Sequence, residues 1–257
     1  LNTPAAITPG SESAPWFIPA VGGSRTMNRL VSFFADANYT FNSRYNLSLG
    51  VRRDGSSRFG QNVRFANFYA VGASWNISEE GFFTNLRNIF DQLKIRTSYG
   101  TQGNQEEIGN FAYLPVYGVI GSAYNGRPGI AAGNVGNPNY KWEVIESLNV
   151  GVDFKVWKSR ISGSIDYYNR KTTDLFLDTQ LSLTTGFGSL SKNVGTMRNR
   201  GIEVALNADV LRSGDFAWNL NVNYTHNWNK ILDLFQEDEF ELGTSIIREG
   251  LPLGSHY

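Results

Sequence analysis

The residue types that most often carry out catalysis or bind metals are scarce in this chain. Its two histidines, His226 and His256, lie in or beside loop sequence, and cysteine is absent. A histidine serves as a metal ligand or acid–base catalyst only where further polar groups converge on it. Without cysteine, disulfides, thiolate metal sites and cysteine nucleophiles are excluded. The sequence therefore predicts neither an enzyme nor a metal or cofactor site.

Two short motifs suggest bound ions at first sight. Asp54-Gly55-Ser56-Ser57 contains the residues of a phosphate cradle, but no glycine-rich strand-to-helix pattern surrounds it, and its composition is that of a turn. The acidic run Glu237-Asp238-Glu239-Phe240-Glu241 lacks the spaced ligands of a calcium loop. We expect a structural loop at the first motif and a solvated surface at the second.

The composition limits the class of partner. The 257 residues include 23 basic and 23 acidic side chains, so no excess charge suggests nucleic acid as a partner. No apolar run reaches the roughly 18 residues of a transmembrane helix. A membrane protein built from strands stays possible, because its apolar residues occupy only alternate positions. The 35 aromatic residues (12 Tyr, 17 Phe and 6 Trp) and 27 glycines favour strands and turns.

The elements that would position any functional residues are β-strands. Alternation of apolar and polar residues, as in YNLSLGV at 45–51, predicts about eight of them. They run approximately over 29–40, 44–54, 65–77, 92–100, 144–156, 160–171, 201–210 and 216–225. Most exceed the about 5–6 residues usual in soluble sheets and match the about 9–11 that cross a bilayer. These lengths favour a membrane.

The connections between these strands alternate in length. The tight ones are 41–43, 157–159 and 211–215, and the long ones are 54–64, 101–143, 172–200 and 226 onward. Outer-membrane barrels keep short turns in the periplasm and long loops outside. We therefore assign 1–28 and 101–143 to the extracellular side. Only 78–91 strains the rule, and its sequence predicts a helical turn with Ser78 as the N-cap.

Each predicted strand has one apolar and one polar face. The apolar face carries residues such as Val31, Leu49, Val150 and Leu220, whereas the polar face carries Asn, Ser, Gly and most charges. The charges of interest on the polar face are Arg52, Lys94, Arg96, Asp153, Asp166, Arg170 and Glu203. A soluble β-sandwich alternates in the same way with its apolar face inward, so alternation alone does not separate the two architectures.

The positions of aromatic residues favour the membrane. The assigned orientation puts Trp75, Trp157 and Trp218 at periplasmic strand ends, and Tyr99, Trp142, Tyr167 and Tyr224 at outer ends. Two such girdles are typical of membrane barrels, and a sandwich core gives no reason for them. We therefore predict an all-β, antiparallel, up-and-down transmembrane β-barrel segment. Its apolar face would contact outer-membrane lipid, and its polar face would line a lumen.

Several short motifs of the sequence resemble motifs that are characteristic of one family. They include RDGSSRFG (53–60), WNISEE (75–80), LKIRTSYG (93–100), NPNYKWE (137–143), NVGVDF (149–154), DYYN (166–169) and EGLPLG (249–254). In this order, over roughly 28–257, they are similar to SusC/RagA-type TonB-linked outer-membrane transporters of Bacteroidetes. The chain departs from the family at Phe68-Tyr69-Ala70, where Phe-Pro-Ser is frequent.

The resemblance implies a larger molecule. Barrels of the family have about 22 strands and are filled by an N-terminal plug that contacts TonB. A SusD-like surface lipoprotein acts as a lid, and glycans or peptides are the cargo. Residues 1–257 would then be a partial, multi-pass barrel segment of the cell outer membrane without the plug domain and the terminal strands.

Two groups of residues are candidates for contacts in such a transporter. The seven charges of the polar face would dock the plug or line the solute path, and docking fits better because a plug buries against that wall. The aromatic residues of the long loop would stack on sugars or pack on a partner protein. They are Tyr113, Tyr117, Tyr124, Tyr140 and Trp142. Packing within the loop is the alternative role for each of them.

Three functions are open at this point. The first is part of the barrel wall of a TonB-dependent nutrient importer. The second is a small passive outer-membrane barrel closed by about eight strands, but the small polar inward residues would not fill such an interior. The third is a soluble carbohydrate-binding β-sandwich, which would be monodisperse without detergent. The importer is the prediction, and apolar rows packed against a second sheet would contradict it.

Overall fold

The computed structural model describes residues 6–7, 21–22, 25–106, 108–124, 127–234, 239–242 and 244–256. Its main element is a sheet of eight antiparallel strands, which confirms the predicted all-β architecture. The strands are β1 (Leu30–Phe41), β2 (Tyr45–Ser56), β3 (Phe65–Asn76), β4 (Phe90–Asn104), β5 (Glu143–Val156), β6 (Ile161–Thr173), β7 (Thr196–Ser213) and β8 (Phe216–Asp233). Each strand pairs with its neighbours in the sequence, so the order is up-and-down. Within the described ranges β1 and β8 do not pair, and the sheet is open.

The remaining elements are short. In the described ranges, 3-10 helices span Ile77–Glu79, Gly81–Leu86 and Leu183–Thr185. Small sheets pair Ala6–Ile7 with Val21–Gly22, Val116–Tyr124 with Arg127–Asn134, and Phe176–Gln180 with Ser189–Asn193, and a further sheet joins Glu239–Leu242, Ser245–Arg248 and Ser255–His256. No helix in the described part of the chain is long and apolar enough to cross a membrane.

The tight turns gather at one end of the sheet, together with the connection between β3 and β4. Asn42 and Ser43 have φ angles of 50° and 56°, a backbone that matches the twist of a close hairpin. The Trp157 amide, in the next tight turn, donates to the Ile89 carbonyl at 2.8 Å. We call this end, formed by residues 42–44, 77–89, 157–160 and 214–215, the turn end. The opposite end, with residues 57–64, 105–142 and 174–195, is the loop end.

Two local predictions were wrong. Ser78 is not an N-cap, because it lies inside Ile77–Glu79 and the cap position is Asn76, without a side-chain cap bond. The Asp54-Gly55-Ser56-Ser57 motif is not a turn, because β2 continues to Ser56. Gly55 lies under the ring of Phe65, where a Cβ would stand 2.3 Å from Cε1. The glycine therefore allows a close approach in an extended strand rather than a positive φ.

The strands β7 and β8 are 18 residues each, longer than predicted. Their extensions toward the loop end, near Arg200 and Trp228, lack apolar alternation. Strand pairing uses backbone groups, so it continues where the alternation of side-chain hydropathy stops.

The register keeps all apolar positions on one face of the sheet. One row across that face pairs Leu47 with Ala73, Ala73 with Thr97, and Thr97 with Val150. These rows are open: Phe33 is 65% exposed and Val51 59%. In the part of the chain that the structure describes, no second sheet packs against them. The clusters of buried hydrophobic residues lie at the loop end instead, whereas a sandwich would bury the apolar rows themselves.

Candidate functional site

The polar face of the sheet carries an ion bridge that spans three strands. Arg96 on β4 donates from Nε to the Asp153 carboxylate of β5 at 3.1 Å. It also donates from Nη2 to the Asp166 carboxylate of β6 at 2.7 Å. Between these strands Arg96 pairs in register with Gly151, and Gly151 with Asp166. A Cβ at Gly151 would lie 2.3 Å from Asp166 Oδ1, so only glycine leaves room for the bridge.

The same arrangement recurs across β6, β7 and β8 with neutral groups. Tyr168 on β6 reaches across Gly201 of β7, and its hydroxyl donates to Asn227 Oδ1 of β8 at 3.0 Å. A Cβ at Gly201 would lie 2.5 Å from that hydroxyl. Arg170 stacks on the Tyr168 ring, with Cζ 5.1 Å from the centroid. The polar wall is therefore cross-braced by side chains that lie over glycines.

All seven charges predicted for the lumen have the same strand parity and share this polar face. The structure brings Arg96, Asp153 and Asp166 together, and it places Glu203 in register beside Asp166. Lys94 is paired in register with Asp153. Arg52 lies apart toward the loop end, where its Nε is 2.7 Å from Asp54 Oδ1. Their contact with a plug or a solute stays a prediction.

Two grooves indent the polar wall. One, of ≈ 380 Å³, lies beside the ion bridge and is lined by Asn46, Ser48, Gly72, Arg96 and Asn149 among others. The other, of ≈ 600 Å³, lies toward the loop end and includes Asp36, Arg52 and Phe68. Both are lined mainly by small or polar side chains, a surface suited to hydrogen bonding with another segment of protein or with a polar solute.

The loop end contains a hydrophobic core. Its buried members are Phe59, Phe68, Ile108, Tyr140 and Trp142. The ring centroids of Phe59 and Trp142 are 4.8 Å apart, and Phe68 meets Trp142 edge-on at 5.9 Å. Aromatic pairs at these distances add to the stability that burial alone gives. The core therefore joins the loop after β2 to the long loop before β5.

Polar contacts close the same junction. Arg58 donates to the Gln105 carbonyl at 2.9 Å and to Asn110 Oδ1 at 3.2 Å. The indole of Trp142 donates to the Arg64 carbonyl at 2.9 Å. A Cβ at Gly60 would stand 1.7 Å from the Pro138 carbonyl oxygen, so the two backbones touch there. The motifs RDGSSRFG (53–60) and NPNYKWE (137–143) thus pack together as one structural unit.

The five aromatic candidates of the long loop differ in position. Tyr140 and Trp142 are each only 4% exposed, whereas Tyr117 is 69% exposed. Tyr113 packs against the loop core, and the side chain of Tyr124 lies outside the described residues. Trp142 is thus no member of an outer girdle, because its indole is covered by Phe59 and Phe68. Geometry gives Tyr140 and Trp142 a packing role, and Tyr117 is free to meet another molecule.

Burial also changes the acidity of one of these residues. Removal from water raises the pKa of Tyr140 to about 12, and the carboxylates of Asp178 and Glu143 contribute in the same direction. Its hydroxyl therefore stays protonated at any physiological pH.

A carboxylate at the turn end escaped the sequence analysis. Glu80 accepts hydrogen bonds from the Tyr45 hydroxyl at 2.5 Å and the Trp75 indole at 3.0 Å, and Arg44 Nη1 lies 3.2 Å away. The bonds from Tyr45 and Trp75 hold the pKa of Glu80 below its usual value. The only signal was its place in WNISEE. Glu80 fastens the 77–89 connection to the first hairpin.

The two histidines and the acidic run gain no ligand partners. The His226 ring packs edge-on against Trp228 at 4.3 Å, and His256 Nδ1 is 3.4 Å from Ser245 Oγ. Glu239 forms an ion pair with Arg248, while Glu237 and Asp238 lie outside the described residues. Among the residues with defined positions, no three His, Cys, Asp or Glu side chains are grouped as metal ligands.

Known proteins share both the sequence and this architecture. A family model described as TonB dependent receptor-like, β-barrel, matches residues 3–254. TonB-dependent receptor P39 of Formosa agariphila is 38% identical over 236 residues, which are 92% of this chain and 22% of that protein. TonB-dependent receptor SusC of Bacteroides thetaiotaomicron is 36% identical over 221 residues, which are 83% of this chain and 22% of SusC.

A solved structure agrees as well. A chain of the RagAB peptide importer in its closed-closed state is 30% identical and superposes with a TM-score of 0.83. The match covers 92% of this chain and 26% of that one. The chain therefore spans between 22% and 26% of the length of these relatives.

Proposed function

Because the chain belongs to the TonB-dependent receptor-like β-barrel family, we propose that its eight-stranded sheet is part of the wall of an outer-membrane nutrient importer. The observation that carries this proposal is the contrast between the two faces. Rows of Leu, Val and aromatic side chains stand open on one face, while charges, Gly, Ser and Asn cover the other. A bilayer stabilises an open apolar face of this extent, and strands of this length fit its thickness.

The proposed orientation puts the turn end in the periplasm and the loop end outside the cell. The long connections converge at the loop end, which supports this orientation, since outer-membrane barrels carry their long loops outside. Residues 1–28 and 101–143 are then extracellular, and each strand of the sheet crosses the membrane.

In this importer the polar wall holds an N-terminal plug, and the barrel has about 22 strands. A wall braced by the Arg96 bridge presents a fixed pattern of charges and grooves. A fixed pattern suits the docking of another domain better than a mobile wall would. Solute would pass when TonB rearranges the plug, so the process is transport and involves no covalent chemistry.

The partners follow from the same relatives. One of them is SusC, and another belongs to the RagAB peptide importer. We propose that a SusD-like lipoprotein covers the loop end, that TonB acts through the plug, and that the cargo is a glycan or a peptide. Exposed aromatic residues at the loop end, such as Tyr117 and Phe111, fit a contact with either.

Growth tests this proposal. A strain that lacks the full-length receptor should lose growth on one glycan or peptide of a panel supplied as the sole nutrient, and the restored gene should return it. A receptor lacking residues 116–134, which removes the exposed hairpin and keeps the loop core, should be inserted normally but import poorly. Unchanged growth of the deletion strain on every compound of the panel would contradict an import role.

A further inference from the structure

The outward positions of β6, β7 and β8 change character just beyond the apolar rows. On β7 the last apolar residue of this face is Ile202, and the next outward positions toward the loop end are Arg200 and Arg198. On β8 it ends at Tyr224 and continues with His226, Trp228 and Lys230, and on β6 Tyr167 is followed by Asn169 and Lys171. The same face thus turns from apolar to cationic on three neighbouring strands, first at Arg200 on β7 and one step later at Lys171 and Lys230.

The register assembles these cations into one patch. Lys171 pairs with Arg198, and Arg198 pairs with Lys230, so the three form a single row across β6, β7 and β8. The pairing of β7 with β8 is regular from Met197 to Asp209, and the cations therefore keep the parity of the apolar rows. Arg200 is one step below this row, with Cζ 5.9 Å from the ring of Trp228.

The patch has an excess of positive charge. Lys171, Arg200 and Lys230 are exposed, and Arg198 is half-buried. One carboxylate, Glu146, is paired in register with Lys171. Within the described residues none of the four cations forms an ion pair. Four cations beside a single carboxylate, with none of them in an ion pair, are placed to bind anions.

The height of the patch selects the anion, a step that rests on the proposed function. Two residues along a tilted strand advance roughly 5 Å along the membrane normal. Arg200, two residues beyond Ile202, is therefore at the level of the lipid headgroups. Trp228 and Tyr224 beside it are the side chains that favour this interface. The patch is continuous with the apolar wall, so a lipid that lies on that wall brings its headgroup to the cations.

We propose that Lys171, Arg198, Arg200 and Lys230, together with Trp228, bind the phosphate groups of lipid A, the phosphorylated glycolipid of the outer leaflet. The acyl chains lie along Ile202, Val204 and Val222, and the guanidinium groups meet the phosphates. Such a bound lipid would fix the height of the β7–β8 hairpin in the membrane. An acidic protein is the competing occupant, but it would not explain why the cations begin where the apolar rows end.

The test uses the full-length receptor in nanodiscs and measures binding of purified lipid A by native mass spectrometry. The variant Arg200→Gln/Lys230→Gln removes two exposed cations of the patch. The control Lys155→Gln/Lys158→Gln removes two exposed cations near the turn end. We expect the patch variant to bind lipid A about tenfold more weakly than the wild type and the control to bind within about twofold.

Two further probes identify the source of the phosphate. Dephosphorylated lipid A should bind at least about fivefold more weakly than lipid A, and millimolar inorganic phosphate should not displace the lipid. Equal binding by the patch variant, equal binding of dephosphorylated lipid A, or full displacement by inorganic phosphate would each overturn the proposal. So would an acidic protein that binds the patch while lipid A does not. Uptake measured in the same strains separates the outcomes, because a receptor that imports without binding lipid A refutes this inference alone.

Discussion

Arg96 on β4 reaches Asp166 on β6 across an intervening strand, with its Nη2 2.7 Å from the carboxylate. The contact exists because the residue between them, Gly151, has no side chain. The same device recurs where Tyr168 crosses Gly201 to Asn227. Glycines on the polar face therefore leave room for side chains that link one strand to the next but one. These links stabilise the sheet where no hydrophobic core packs against it.

Filling the space over such a glycine should break the link. In Gly151→Val the new methyl groups would occupy the space of Asp166 and of the Arg96 guanidinium, and overpacking of this kind costs about 1–3 kcal/mol. We expect the full-length receptor to unfold at a lower temperature in a heat-modifiability assay on gels. Gly118→Val is the matched control, since a strand position with nothing within 4 Å should accept the substitution. Equal losses in both variants would contradict the bracing role.

Removal of the central ring of the loop core should release the loops and leave the sheet intact. Trp142→Ala deletes a side chain that is 4% exposed and contacts Phe59 and Phe68, and such truncations cost about 3–5 kcal/mol. We expect proteases added outside cells to cut within 105–142 much faster than in the wild type. Tyr117→Ala, at a 69% exposed position, should not change the cutting rate.

Acid should loosen the turn end through Glu80. Its folded pKa is depressed below the usual value of 4.5, so its stabilising contribution is present above that value and is lost as the pH falls through the folded pKa. We expect the loss of stability between neutral pH and about pH 3 to be smaller in Glu80→Gln than in the wild type. The exposed neighbour provides the control: Glu79→Gln should keep the wild-type acid profile in urea titrations.

Alkali should open the loop core through Tyr140. Its folded pKa of about 12 exceeds the value of 10.0 of a free tyrosine, so its contribution is complete below pH 10 and is lost as the pH rises through 12. We expect protease cutting of the long loop to accelerate over this range in the wild type and less so in Tyr140→Phe. An identical acceleration in Tyr117→Phe and Tyr140→Phe would show that Tyr140 does not control the loop.

Local sequence patterns predict the strands of the sheet, but they do not predict the contacts at its ends. Alternation around Leu49 and Val150 predicts strands and their two faces, because neighbouring side chains of a strand point to opposite sides. The pairing of Phe59 with Trp142 joins distant parts of the chain, and no local pattern encodes it. For the same reason the local sequence predicts a girdle position for Trp142 and a loop at Asp54-Gly55-Ser56-Ser57, and the structure contradicts both. Pairing of β7 with β8 beyond Ile202 also leaves no clear hydropathy signal, because polar and apolar residues do not alternate there.

The central claim is that the apolar face meets lipid and the polar face meets the lumen. The adjacent residues Val150 and Asn149 on β5 test it most directly, as single cysteines carrying nitroxide labels in an otherwise cysteine-free full-length receptor. We expect the label at Val150 to collide with oxygen, which dissolves in lipid, and to be protected from a water-soluble nickel chelate. The label at Asn149 should show the reverse, or be shielded from both by a plug. A label at Val150 that is accessible to the chelate while the label at Asn149 is accessible to lipid would contradict the membrane orientation of the whole sheet.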